Sequence, residues 1–234
     1  MVDLEIEGGV ARIFLNRPQK VNALDSQGLK VLLDAIGQAG ADETVRVVVL
    51  GGRGKAFCGG ADVKELAQLT EVSARTFIEQ IHEVCAALRR LPLPVVAQLH
   101  GAVIGAGLEI AAACDLRVAA PGTRFSMPEV RLGIPSVVEA ALLPRLVGSG
   151  RAAWLVLTGA AIDTERAYEW GLIEEIGTGE DLVKHLLAGE PEALKMQKQL
   201  LQLWEEAPLA ASIRTSIELF QRAYASGIPG RRMR

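Results

Sequence analysis

Hydrophobic and polar positions along the first two-thirds of the chain alternate between two periods. Leu4 and Ile6 alternate with acidic residues, Gly8-Gly9 supplies a turn, and Val10 to Leu15 is a second β-prone run, so the chain opens as a hairpin. Asp25 can cap the next element, in which Leu29, Leu32, Leu33 and Ile36 fall at the spacing of one buried helix face. Val45 to Leu50 is a short, wholly apolar-centred run ending in Gly51-Gly52, as expected of a strand buried on both faces. Phe77, Ile81, Val84, Cys85 and Leu88 predict a second amphipathic helix, stopped by Pro92 and Pro94 before a β-like run over Val95 to Leu99. Beyond Gly101, Gly105 and Gly107 come an apolar helix, Leu108 to Cys114, and a strand, Leu116 to Ala119.

From about Val137 the pattern becomes helical, apart from a short strand at Leu172 to Ile176. Asp163 and Gly171 bound a helix over Thr164 to Trp170, and Pro191 and Pro208 punctuate the last helices. The reading is an α/β core over residues 1–136 followed by a helical region over 137–234 that does not fold alone, with no internal repeat.

Composition narrows the partners. The 234 residues are 50% hydrophobic and 23% charged, and 25 Lys+Arg against 28 Asp+Glu give a net charge of −3, so no general positive field favours a nucleic acid. No apolar stretch reaches the ~18 residues of a membrane span, and the acidic, alternating Met1 to Glu7 is neither a signal nor a transit peptide. Three cysteines, Cys58, Cys85 and Cys114, suit reduced thiols and a cytoplasmic location better than a disulfide framework.

Two glycine-containing corners carry candidate chemistry: Ala56-Phe-Cys-Gly-Gly-Ala-Asp62 and Gly101-Ala-Val-Ile-Gly-Ala-Gly107. Each joins a strand to a helix, where small residues admit a ligand to the backbone and free N–H groups favour an anion; either corner taken alone is also an ordinary tight turn. The dinucleotide fingerprint G-x-G-x-x-G fails at its third glycine, which is Ile110. Glu109 lies in an otherwise apolar helix start, where a carboxylate must be paired, for instance with Arg117, or protonated, or functional. Glu129 alone reads as half of a solvated pair with Arg131, yet the twenty residues between it and Glu109 suffice for a helix, a strand and a return to one cleft. Two carboxylates on one cleft can divide acid and base roles.

Taken together, the motifs resemble the crotonase (enoyl-CoA hydratase/isomerase) superfamily from Arg12 to about Leu172. Asn16-Arg-Pro-Gln-Lys-Val-Asn-Ala-Leu24 is similar to its N-R-P-x-x-x-N-A-L segment, Lys55-Ala-Phe-Cys-Gly-Gly-Ala-Asp-Val-Lys64 to its F-x-x-G-x-D loop, and His100-Gly-Ala-Val-Ile-Gly-Ala-Gly-Leu-Glu109 to its second corner. The resemblance implies a spiral of repeated ββα units with a C-terminal helical region that serves trimerisation and covers CoA, assembled as homotrimers or dimers of trimers. It implies an oxyanion hole from the N–H groups of Ala61 and Ala106, with Glu109 activating water and Glu129 delivering a proton. Lys20, Val21, Ala23, Ala61, Asp62, Val63, Lys64, Pro135 and Ser136 fall where the family binds CoA and substrate. The implied activity is hydration of a 2-enoyl-CoA, with enoyl-CoA isomerisation as the alternative; coenzyme A enters as part of the substrate, and neither a metal nor a permanently bound cofactor is expected.

The chain departs from the family in one loop. Leu132-Gly-Ile-Pro-Ser-Val-Val-Glu-Ala-Ala141 is one residue shorter before its proline than L-G-x-x-P-G-x-G-G-T and lacks its later glycines. This predicts a reshaped acyl pocket, with Ser136 where a glycine N–H would hold water and Glu139 as a third carboxylate near the site or a helix-surface charge. The stretch from Gly177 to Pro191 is short, and Arg231-Arg-Met-Arg234 stands where the family carries a terminal aromatic segment. His82, His100 and His185 show no ligand spacing and read as surface or packing residues. Two rival readings are a thioester hydrolase using Cys58 with His100 as base, and a noncatalytic RNA-binding or scaffold role resting on Arg89-Arg90 and the basic end.

Overall fold

A computed structural model of the chain describes residues 1–233. The opening hairpin pairs β1 (Val2–Glu7) with β2 (Val10–Leu15) in the register Val2↔Leu15 to Glu7↔Val10. Parallel to β2 run β3 (Val47–Gly52), β4 (Val95–Leu99), β6 (Leu116–Ala119) and β8 (Glu175–Ile176), giving a six-stranded sheet in the order β1-β2-β3-β4-β6-β8. A second, two-stranded sheet pairs β5 (Ala102–Ile104) with β7 (Arg124–Ser126), and Cys58 bridges to Val103 at its other edge.

The chain thus turns repeatedly from a strand of the large sheet into the small sheet and back through a helix. β4 leads to β5 and then α4 (Ala106–Ala113), while β3 leads to the Cys58 bridge, then α2 (Val63–Leu66) and α3 (Glu71–Arg90). This is the expected spiral of ββα units. The three-residue strands β5 and β7 were invisible to periodicity, because three residues establish no alternation.

Helix formation follows its capping chemistry. Asp25 accepts from Gly28 N at 2.8 Å to start α1 (Ser26–Ala41), and Thr70 and Ser73 cap α3 reciprocally. Leu29, Leu32 and Ile36 of α1 are buried, as are Phe77, Ile81, Val84, Cys85 and Leu88 of α3. These faces cover one side of the large sheet, meeting Val48 and Leu50, while Val47 and Val49 point to the opposite side and are covered with Val183 of α8 (Glu180–Ala188). That second cover explains why β3 has no polar face.

Past residue 136 come a 3₁₀ turn over Val138–Leu142, α5 (Leu143–Val147), α6 (Ser149–Thr158) and α7 (Thr164–Glu169), the last capped by Asp163. Ala140, Leu143, Val147, Leu155, Ile162, Leu172 and Ile173 join the main core, and β8 extends the large sheet beside β6. Helices α9 (Pro191–Glu206) and α10 (Leu209–Ala225) pack together, followed by α11 (Ile228–Arg232). No helix among the described residues is long and apolar enough to cross a membrane.

Candidate active site

The first corner is built from Asn22. Its amide is 1% exposed and Nδ2 donates to the carbonyls of Ala56 at 2.7 Å, Arg53 at 2.9 Å and Phe57 at 3.2 Å, while Oδ1 accepts from Arg17 N. One side chain therefore fastens the N-terminal segment to the loop that leads to Ala61. Next to it, Leu24 N donates to Gly60 O and Asp62 N to Leu24 O. Because successive N–H groups of an extended segment point in opposite directions, the Ala61 N–H between these bonds is turned away from Leu24. Asp62 caps α2 through Lys64 N and pairs with Arg17, which also holds Asp25. Burial works to raise the Asp62 carboxyl, but the Lys64 N–H and the Arg17 guanidinium outweigh it and hold it below the ordinary range.

The second corner is built from Gly105, whose φ of +52° suits glycine. A β-carbon there would also lie against Glu129 Oε1, so the missing side chain admits that carboxylate to the start of α4. Ala106 opens the helix, where an N–H has no partner within the helix. Among the described residues, neither Ala61 nor Ala106 donates its backbone N–H to another protein group. The two corners adjoin: a β-carbon on Gly60 would stand 3.8 Å from Ala106 N.

Both corners open on a cavity of about 610 Å³, also lined by Glu109, Glu129, Val63, Phe77, Ile81 and Pro135. Glu109 is 4% exposed and does not pair with Arg117, which instead meets Glu174 at 2.5 Å. Burial, then the Glu129 charge, pushes Glu109 up to about 8, against the backbone N–H of Ala140; Glu139 adds to the rise. Glu129 is half-buried and accepts from Ser136 Oγ at 2.9 Å, while Arg131, its supposed surface partner, donates to Thr158 O. Two carboxylates in one apolar cavity repel, so the pair retains a proton at neutral pH.

The structure brings Glu109, Glu129, Ala61, Ala106, Val63 and Pro135 to one cavity, with Ser136 one hydrogen bond behind Glu129. Lys20, Val21, Ala23, Asp62 and Lys64 do not line the cavity; Lys64 belongs to α2 and the others to the turns and loops beside it, where Val21 O accepts from Gly59 N and Ala23 O from Arg17. The shortened loop places Val138 at φ +39°, the left-handed region where the family pattern has glycines. Glu139 is the third carboxylate and no surface charge, being buried and bonded to His82 Nδ1 at 2.9 Å. His82 itself lies at the surface, as read for it. Asn22 and Arg17 were missed as supports, although an Asn inside an apolar turn signals a buried polar fastener.

The Cys58 reading fails on local chemistry. Cys58 is fully buried, its thiol pushed up to about 12 by burial, and Sγ faces Asn22 O at 3.3 Å, so it supplies no thiolate. Of the arginines on which the RNA reading rests, Arg89 pairs with Glu205 and Glu206, Arg90 with Glu83 and Arg232 with Glu190, while Arg234 lies outside the described residues.

The chain belongs to the enoyl-CoA hydratase/isomerase family, whose model matches residues 5–225. It is 33% identical to the short-chain-enoyl-CoA hydratase of Clostridium acetobutylicum, over 96% of this chain and 90% of that one. An enoyl-CoA isomerase/hydratase of Mycosarcoma maydis is 32% identical, over 88% of this chain and 81% of its own length. The crystal structure of enoyl-CoA hydratase from Thermoplasma volcanium superposes with a TM-score of 0.92 at 29% identity, covering 96% and 92% of the two chains.

Proposed function

We propose that the protein is an enoyl-CoA hydratase, adding water reversibly across the double bond of a 2-enoyl-CoA. The observation that carries this reading is the pair Glu109 and Glu129 on the wall of the cavity that also meets Ala61 and Ala106. A thioester carbonyl accepting both N–H groups takes up negative charge as an enolate, and each such donor is worth roughly 2.7–4 kcal/mol at the transition state. One glutamate removes a proton from the water that attacks the β carbon, and the other supplies a proton to the α carbon.

The two roles need one proton between the two carboxylates. The raised proton affinity of Glu109 favours the proton there, whereas water activation by Glu109 uses the tautomer with the proton on Glu129. Both belong to the same singly protonated pair. Isomerisation needs only one of the two groups, so the second glutamate favours hydration over the α-to-γ proton shift that a 3-enoyl-CoA would undergo.

Coenzyme A enters as part of the substrate, with Lys20, Val21, Ala23, Asp62, Val63 and Lys64 at the rim toward its pantetheine and nucleotide, and Pro135 and Ser136 toward the acyl group. Three free, buried cysteines support a reducing, cytoplasmic setting. The exposed apolar side chains Trp204, Leu209, Ile213, Ile217 and Phe220 on α9 and α10 support burial between copies in a trimer or dimer of trimers. Incubation with crotonyl-CoA and with a 3-enoyl-CoA, following thioester absorbance, tests the activity. Hydration of the first that falls about 10²- to 10⁴-fold in both Glu109→Gln and Glu129→Gln supports it; turnover of the 3-enoyl-CoA alone refutes it.

A further inference from the structure

The cavity continues past the two glutamates along one face of α3. Ile81, Ile78, Ala74 and Glu71 line it at helical spacing, with Phe77 beside them. From Glu71 to Ile81 this face runs roughly 15 Å at the rise of an α-helix. Burial falls along it: Ile81 and Phe77 are buried, Ile78 and Ala74 half-buried, and Glu71 exposed. Helix α3 packs on α4, the helix of Glu109, and the Glu109 charge reaches Cys85, one turn past Ile81, so Glu109 lies toward the closed end. At the open end the loop after Glu129 adds Leu132, Ile134 and Val137, which line the same cavity and yet stay 55%, 41% and 39% exposed. Apolar surface of this kind, gathered at a cavity mouth, is shaped to be covered by hydrocarbon.

We propose that this face of α3 seats the acyl tail and selects 2-enoyl-CoA thioesters of medium chain length, about eight to twelve carbons, over short ones. The inference rests on the hydratase reading of the site. An extended chain advances roughly 1.2 Å per bond, so about twelve bonds fill the face, whereas a crotonyl tail would leave most of it in water. Pantetheine does not suit this place, because its amide groups need hydrogen-bond partners and Ile81, Ile78, Phe77 and Ala74 offer only hydrocarbon. An acidic tail does not suit it either. Arg75, the cation at the mouth, is held by Glu79 at 2.8 Å, and Glu71 adds a negative charge beside it. The group that fits is a plain alkyl chain.

Saturated acyl-CoAs have no double bond to hydrate, so their binding reads the tail site apart from the chemistry. Isothermal titration calorimetry with butanoyl-, octanoyl- and dodecanoyl-CoA should show Kd falling about two- to fourfold for each added methylene. In steady-state kinetics, kcat/KM should be at least about tenfold higher for 2-octenoyl-CoA than for 2-butenoyl-CoA. Ala74 lies two turns from Ile81, and a helical side chain there leans toward the open end. Ala74→Phe should therefore abolish the gain in affinity from octanoyl- to dodecanoyl-CoA.

Affinity that stays flat from butanoyl- to dodecanoyl-CoA overturns the proposal, as does a dodecanoyl gain that Ala74→Phe leaves intact, which would put the tail elsewhere on the protein. Ile78→Gln, which sets an amide in the same wall at a half-buried position, should cut the same gain and carries the test if Ala74→Phe fails to fold. Binding that tightens with length while no 2-enoyl-CoA is hydrated refutes the reaction and leaves the tail site standing. Hydration confined to 2-butenoyl-CoA does the reverse.

Discussion

The hydroxyl of Ser136 donates to Glu129 Oε2 at 2.9 Å, although Ser136 stands in a loop that departs from the family pattern. This bond fixes the orientation of Glu129, while burial of Glu109 favours its protonated form. Ser136→Ala should therefore lower kcat by a few-fold and leave KM nearly unchanged, which steady-state kinetics on crotonyl-CoA would measure; a change in KM alone would place Ser136 in substrate binding.

Loss of the shared proton should end catalysis. With Glu109 raised to about 8, kcat/KM is expected to fall as the pH rises through that value, because the doubly ionised pair has no proton for the α carbon. A rate profile over the alkaline range checks this, and a profile flat to pH 10 would contradict it.

Glu109 also costs stability. Its folded-state proton affinity is raised above the unfolded value of 4.5, so the associated stability is complete below about 4.5 and is lost as the pH rises through about 8. Glu109→Gln, which cannot ionise, should melt at the same temperature as wild type near pH 4.5 and higher at pH 9, by a difference worth up to a few kcal/mol. Calorimetry at the two pH values reads the effect.

The Ala106 N–H can be removed without breaking the helix. Proline is tolerated at the first helical position, where its missing N–H has no helical acceptor to lose. Ala106→Pro should keep the circular dichroism of the wild type while lowering kcat by about 10²- to 10³-fold. Unchanged turnover would exclude this amide from the reaction.

Asn22 should prove structural in origin and catalytic in effect. Asn22→Ala strands the carbonyls of Arg53, Ala56 and Phe57 that its amide satisfies, at a cost of about 1–3 kcal/mol. Denaturant unfolding would register this loss, together with lower activity at temperatures where the variant remains folded.

How much of this was legible in the sequence depended on element length and on whether a contact was local. The hairpin, α1, α3 and β4 followed from period and caps, since each carries enough residues to set a repeat. β5 and β7 did not, being three residues each and defined by partners 22 residues apart. Ala61, Ala106, Glu109 and Glu129 emerged from motif order, but the side-chain contacts around them did not. His82 and Glu139 are 57 residues apart and belong to different elements, and no spacing rule connects them. Asn22 looked like one more turn residue until its amide was seen to reach three carbonyls of another loop.

The most direct measurement is a crystal structure with an acyl-CoA thioester bound in the cavity. The account predicts the thioester oxygen about 2.7–3.1 Å from both Ala61 N and Ala106 N, with Glu109 and Glu129 flanking the α and β carbons. A thioester bound away from these amides, or with only one of the glutamates beside the reacting carbons, would contradict it.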